Sequence, residues 1–173
     1  MSMTALLRQV GYIYNDTYHV VICSSCGFAY QSPRQHLGNQ HGGLVSTLST
    51  ELWARIREVL DALTLDPNPA VTGIVPRIEG LTVTPGFKCA VTDCGYGGTT
   101  NPTMSVHHST CHRDRPGVRP KPLKVHLQRF FASKSSYFEV VNTSATTGTN
   151  FTLSMMSMRP TIDTTPLHSF AET

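Results

Sequence analysis

At 173 residues the chain has room for one ordinary domain or two very small ones, which excludes most multi-domain catalytic machines. Only 39% of residues are hydrophobic and 14% charged, with 13 Gly and 11 Pro, so the core is modest, the loops are many, and the fold is expected to lean on metal or disulfides. A formal net charge of +3 permits a nucleic-acid or acidic partner without demanding one.

The first stretch, MSMTALLRQVGYIYNDTY, has neither a charged n-region nor the apolar run, roughly 7 to 15 residues long, of a secretory signal. No segment approaches the roughly 18 to 20 apolar residues that a membrane helix needs. The expectation is a soluble protein, nuclear or cytoplasmic and not secreted, with no membrane partner. Residues 10–45 then carry the first Cys/His constellation, Cys23-x2-Cys26-x9-His36-x4-His41. Apolar residues Val20, Val21 and Ile22 suit a strand leading into the Cys turn, and Ser32-Pro33 reads as an N-cap and first helical residue ahead of the His pair. Tyr30, four residues after Cys26, is placed to plug the small core. The short x9 loop predicts a stubby helix.

Residues 46–85 read as a helical connector and a Pro-rich crossing. In LSTELWARIREVLDAL, Thr50 is the expected cap and Leu52, Ile56, Val59, Leu60 and Leu63 recur at helical spacing, with Trp53 widening the apolar face. The helix packs on the rest of the fold or offers Trp53 to a protein partner. Leu65-Asp66-Pro67-Asn68-Pro69 ends it, and a mostly irregular crossing with extended pieces follows.

Residues 86–113 hold the second constellation, Cys89-x4-Cys94-x12-His107-x4-His112, with GFKC as a short strand and Asn101-Pro102 as the helix start. Met104 lies one helical turn before His107, where an apolar plug fits between a metal and its helix. The last two ligands can be His107 with His112, His108 with His112, or His107 with Cys111. The first pair repeats the x4 spacing of His36 with His41 and is favoured, which leaves Cys111 a spare thiol. Two thiolates on a tight turn and two imidazoles about one helical turn apart are what a tetrahedral zinc ion takes, with about 2.3 Å to sulfur and about 2.0 Å to nitrogen. The two constellations form a divergent internal repeat.

Residues 114–143 are a basic segment and a short strand, YFEVV. Between 113 and 129 stand Arg113, Arg115, Arg119, Lys121, Lys124 and Arg129 against the single acid Asp114, a run that suits a phosphate backbone. Residues 144–173 are Ser/Thr-rich, cannot build a further core, and are expected to be a flexible tail.

The order of a Cys pair, His pair, apolar helix, GLTVTPGFKC, second Cys pair, second His pair, VHLQRFF and SSYFEV resembles the fungal orsellinic acid biosynthesis cluster protein D-like family, over roughly residues 10–141. The pieces Gly80-Leu81-Thr82-Val83 with Gly86-Phe87-Lys88-Cys89, and Gln128-Arg129-Phe130-Phe131 with Tyr137-Phe138, carry the resemblance beyond metal spacing. It implies paired, degenerate C2H2-type zinc fingers, with Cys23, Cys26, His36 and His41 at one site and Cys89, Cys94, His107 and His112 at the other. Related modules stand beside helicase-like regions, but GxxxxGK[ST] is absent here.

The fold expected is small and α+β: two divergent zinc-stapled strand-knuckle-helix fingers, a helical connector and a flexible C-terminal tail. Two structural zinc ions, each with four protein ligands, leave no open position to activate water. His-Glu-x2-His and the deaminase signature are absent, so no enzyme activity and no small-molecule substrate are expected. The leading function is DNA binding through phosphate contacts with weak sequence specificity; the alternative is a protein-recruitment scaffold.

Overall fold

The run Val20–Cys23 is apolar at every position, where a strand with one wet face would alternate. The computed structural model, which describes residues 1–114, 121–134 and 136–141, shows why: the strand is buried on both faces. Val21 and Cys23 enter one cluster with Leu6, Leu7, Tyr12, Leu37, Ile56 and Leu60. Val20 and Ile22 enter another with Ile78, Leu81, Phe130 and Phe131. The period of two sends successive side chains to opposite faces, so one strand of four residues divides the interior between two cores.

Around that strand the fold is small and α+β. Helix α1 (Met3–Gln9) is capped by Ser2, whose hydroxyl accepts from the Ala5 N–H, and it buries Leu6 and Leu7. Strands β1 (Tyr12–Asn15), β2 (Val20–Cys23) and β3 (Phe28–Tyr30) form an antiparallel sheet in chain order, with Cys23 opposite both Tyr12 and Phe28. Two helices follow, α2 (Pro33–Gln40) and α3 (Gly42–Val45); α2, at eight residues, is as short as its loop predicts.

Helix α4 (Thr50–Ala62) lays Ile56 and Leu60 into the first core, with Trp53 packed against it. Its cap is Ser49 and not Thr50: Ser49 holds extended backbone and accepts from the Leu52 N–H at 3.2 Å, while Thr50 is already helical. The crossing that follows contributes only β4 (Val75–Pro76).

A five-stranded sheet, ordered β4-β8-β7-β5-β6, takes the rest: β5 (Thr84–Lys88), β6 (Gly97–Gly98), β7 (Leu123–Gln128) and β8 (Phe138–Val141), with helix α5 (Asn101–Cys111) crossing from β6 toward β7. All its neighbours are antiparallel except β4 and β8. Strand β7 lies inside the expected basic segment. It pairs with β5 from Thr84 opposite Leu127 to Lys88 opposite Leu123, so the end of that segment is a sheet strand that buries Leu127 and Gln128. Helix α5 is capped by Thr100, whose hydroxyl accepts from the Thr103 N–H, and Asn101 and Pro102 are its first two residues; the cap expected at Asn101 sits one residue earlier.

Gln128 joins the sequence pieces Gly80-Leu81 and Gln128-Arg129 across the molecule. Fully buried, it accepts from the Ile78 N–H at 2.8 Å and donates to the carbonyls of Ile78 at 3.0 Å and Leu81 at 2.9 Å. The segment so held lies on the first sheet: the Thr82 N–H donates to Gly27 O, and Gly80, at φ +84°, leaves no room for a Cβ against Ile13 and Ile22. The Ala29 N–H donates to Phe130 O at 2.7 Å, tying β3 to the irregular segment that follows β7. No helix among the described residues is long and apolar enough to cross a membrane. Arg115, Arg119 and the expected tail, 144–173, lie outside the described residues.

Candidate metal centres

Both Cys/His groups are built by the same local means. In the first, Cys23 ends β2 and Cys26 lies within a turn closed by the Gly27 N–H on Cys23 O, at 2.8 Å, with Gly27 itself at φ +73°. In the second, Cys89 follows β5, the Cys94 N–H closes on Val91 O at 3.1 Å, and Asp93 takes the left-handed conformation, φ 64°, that the longer Cys-x4-Cys turn requires.

A strand then leads into a helix whose first ligand, His36 or His107, projects from the helix body. The second, His41 or His112, is in each case the C-cap residue. Their backbones nearly coincide, at φ −128°, ψ 28° for His41 and φ −126°, ψ 31° for His112, and each cap N–H donates to the carbonyl four residues earlier. A His-x4-His pair would diverge on a continuing helix; leaving the helix at the second His turns its ring back toward the first.

In the first group His41 Nε2 lies 3.3 Å from Cys23 Sγ and 3.4 Å from Cys26 Sγ, and His36 Nε2 lies 3.5 Å from Cys26 Sγ. In the second, His112 Nε2 is 3.5 Å from Cys89 Sγ, His107 Nε2 is 3.2 Å from Cys94 Sγ, and the two imidazole nitrogens are 3.2 Å apart. A tetrahedral centre with bonds of about 2.3 Å to sulfur and about 2.0 Å to nitrogen has sulfur–nitrogen edges near ~3.5 Å. Within each group all four donor atoms lie within 4.8 Å of one another, so both groups fit a bound metal ion. All five cysteines are free thiols.

Burial sets the charge of these donors. It pushes the Cys23 and Cys89 thiols up from their usual range and the His36 and His107 imidazoles down, the neighbouring His41 and His112 adding to the latter. The imidazoles are thus held neutral, as ligation requires, and the thiols keep their protons until a cation takes their place. A tyrosine ring stacks on the first histidine of each pair: Tyr30 on His36, centroids 3.4 Å apart and 12° between planes, and Tyr96 on His107, 4.0 Å and 8°. Burial, then Cys26, pushes the Tyr30 phenol up to about 12. Tyr12 anchors the start of α2 through its hydroxyl, which donates to Pro33 O at 2.6 Å. Met104 is buried beneath the second group, beside Gly98.

Of the alternatives for the second group, His107 and His112 are the imidazoles brought together with Cys89 and Cys94, while Cys111 is exposed at the end of α5. His108 is buried and its Nε2 stands 3.7 Å from Cys89 Sγ. Neither group contains a carboxylate.

The basic residues of 113–129 meet different fates. Arg113, Lys121 and Lys124 are exposed, Lys124 on β7. Arg129 is not free to follow a backbone: its guanidinium lies 5.2 Å from the Phe28 ring and 5.2 Å from the Tyr137 ring, clamping the first sheet to the segment before β8. Trp53 is half-buried, with Arg57 over its ring.

A family model described as orsellinic acid/F9775 biosynthesis cluster protein D matches residues 11–113. Orsellinic acid/F9775 biosynthesis cluster protein D of Emericella nidulans is 30% identical over 132 residues, 76% of this chain and 26% of that protein. The chain therefore spans about a quarter of the length of that relative. No solved structure matches.

Proposed function

This chain belongs to the orsellinic acid/F9775 biosynthesis cluster protein D family, and from that premise we propose that it is a non-catalytic module stapled by two structural zinc ions, binding nucleic acid through phosphate contacts with weak sequence preference. The observation that carries the first half is the pair of Cys2His2 donor sets at tetrahedral spacing. Four protein donors leave no position for water or substrate, and no carboxylate stands among them to act as general base, which supports a structural role over a hydrolytic one. Zinc suits two thiolates with two neutral imidazoles; bound, it would contribute binding free energy directly to folding.

Phosphate contact is supported by the exposed Arg113, Lys121 and Lys124, which belong to the same run of sequence as Arg115 and Arg119. Weak specificity is supported by α5, whose exposed residues Thr103, Ser105, Val106, Ser109 and Thr110 are small or apolar, leaving Asn101 at its first position as the one exposed side chain of the Arg, Asn or Gln types that read base edges bidentately. Such a module works in the nucleus or the cytosol. The test is fluorescence anisotropy of the zinc-loaded protein with a random DNA duplex across a salt series. Micromolar binding that falls steeply with salt, and is lost when Arg113, Arg115, Arg119, Lys121 and Lys124 are changed to Ala, is the expected result; no binding at low salt rejects the reading.

One observation favours protein recruitment as the second reading. Val106 is 64% exposed on the uncharged outer side of α5, in a shallow apolar surface with Pro102, Thr103 and Thr110. Trp53, packed on the first core, is a poorer anchor than its sequence context suggests.

A further inference from the structure

The two centres differ in one respect that their shared spacing conceals. The residue after His36 is Leu37, wholly buried in the first core, whereas the residue after His107 is a second imidazole, His108, only 8% exposed. Burying an imidazole is unfavourable unless its nitrogens find partners. The partner here is the thiol of a metal-ligating cysteine: His108 Nε2 lies 3.7 Å from Cys89 Sγ, close to the edge of the coordination tetrahedron.

His108 also stands nearly as close to His112 as His107 does, with ring centroids 5.3 Å apart against 4.9 Å. His108 is four residues from His112 where His107 is five, and His112, leaving the helix as its C-cap, holds its ring near both. The donors now grouped within 4.8 Å are those of Cys89, Cys94, His107 and His112, and His108, already beside Cys89, would complete a second set of four by turning into the place of His107.

We propose that His108 is a stand-by ligand of the second metal centre, able to take the corner that His107 vacates, so that this centre keeps four donors on its ion when one imidazole leaves, as the first centre cannot. The inference rests on the zinc reading above and deepens it: of two similar staples, one carries a reserve donor and the other does not. The first centre has no equivalent, because Leu37 offers no donor and its side chain is committed to the core.

The experiment counts cobalt(II) bound per full-length chain, by titrating the ligand-field absorption of tetrahedral thiolate-imidazole sites. Phe is the replacement of choice at His107, since a planar ring keeps the stacking on Tyr96 while removing the donor. Wild type is expected to bind two equivalents, His36→Phe one, His107→Phe two, and His107→Phe/His108→Phe one. If wild type fails to bind two, the zinc reading itself fails. If wild type binds two but His107→Phe binds one, or does not fold with cobalt present, the stand-by role is overturned and His108 is only a hydrogen-bond partner of Cys89. A second measurement needs no change at a ligand: exchange of bound against free isotopically labelled zinc in His108→Phe. One of the two ions is expected to exchange several-fold faster than in wild type; an unchanged rate overturns the proposal as well.

Discussion

Removing the Gln128 side chain would strand the Ile78 N–H and the Leu81 carbonyl in a site closed to water, and leave the Ile78 carbonyl only the long bond, 3.4 Å, from the Leu81 N–H. Buried polar groups left without partners cost about 1–3 kcal/mol each, partly relieved by relaxation. Gln128→Ala is therefore expected to destabilise the metal-loaded protein by about 2–4 kcal/mol, read from the shift of a urea unfolding midpoint. Gln128→Glu should be nearly as damaging, because a carboxylate can replace the acceptor but not the two donated bonds. At this scale the sequence was legible where chemistry ties residue type to spacing, as in the two Cys/His groups. It was illegible at Gln128 and Arg129, whose roles depend on Ile78, Leu81, Phe28 and Tyr137; within their own neighbourhood they read as members of a polar, basic run.

Among the elements, α2, α4 and α5 were readable, whereas α1, α3 and the strands β1, β3, β6 and β7 were not. Periodicity places α4, and Ile56 and Leu60 are buried as their spacing requires. Its start is one residue from the expected position, since Ser49 and Thr50 are both good capping types and only the backbone, extended at Ser49, decides between them. Ser49→Ala should then cost about 1 kcal/mol in thermal or chemical unfolding and Thr50→Ala only a few tenths, with equal losses at both sites counting against the assignment. Strand β7 alternates Leu123, Val125 and Leu127 with Lys124, His126 and Gln128, but the prolines just before it and the surrounding charge disguise the pattern as a linker. Pairing with β5 on one side and β8 on the other makes it a strand, and neither partner is local.

For the whole molecule, the two metal centres sit in units locked together by the Gln128 clamp, the Ala29–Phe130 hydrogen bond and the contact of Gly80 with Ile13 and Ile22. Fingers strung on a linker would melt separately; these are expected to melt together. Calorimetry of the zinc-loaded protein should give one transition whose calorimetric and van't Hoff enthalpies agree, and a strong chelator should abolish the folded far-ultraviolet dichroism of the chain as one unit. Two resolved transitions would show that the lock is too weak to couple them. The same lock has a consequence in time. All four donors of the first centre are synthesised by residue 41, yet the Phe130 carbonyl that satisfies Ala29 of β3 is made roughly a hundred residues after it. At about 5–20 residues per second, that is a delay of about 5–20 s during which a nascent chain carries an unpaired strand edge. The amino-terminal unit thus matures in two widely separated stages of synthesis, first its ligands and last its edge, and in the interval it depends on whatever shields bare strands on an emerging polypeptide.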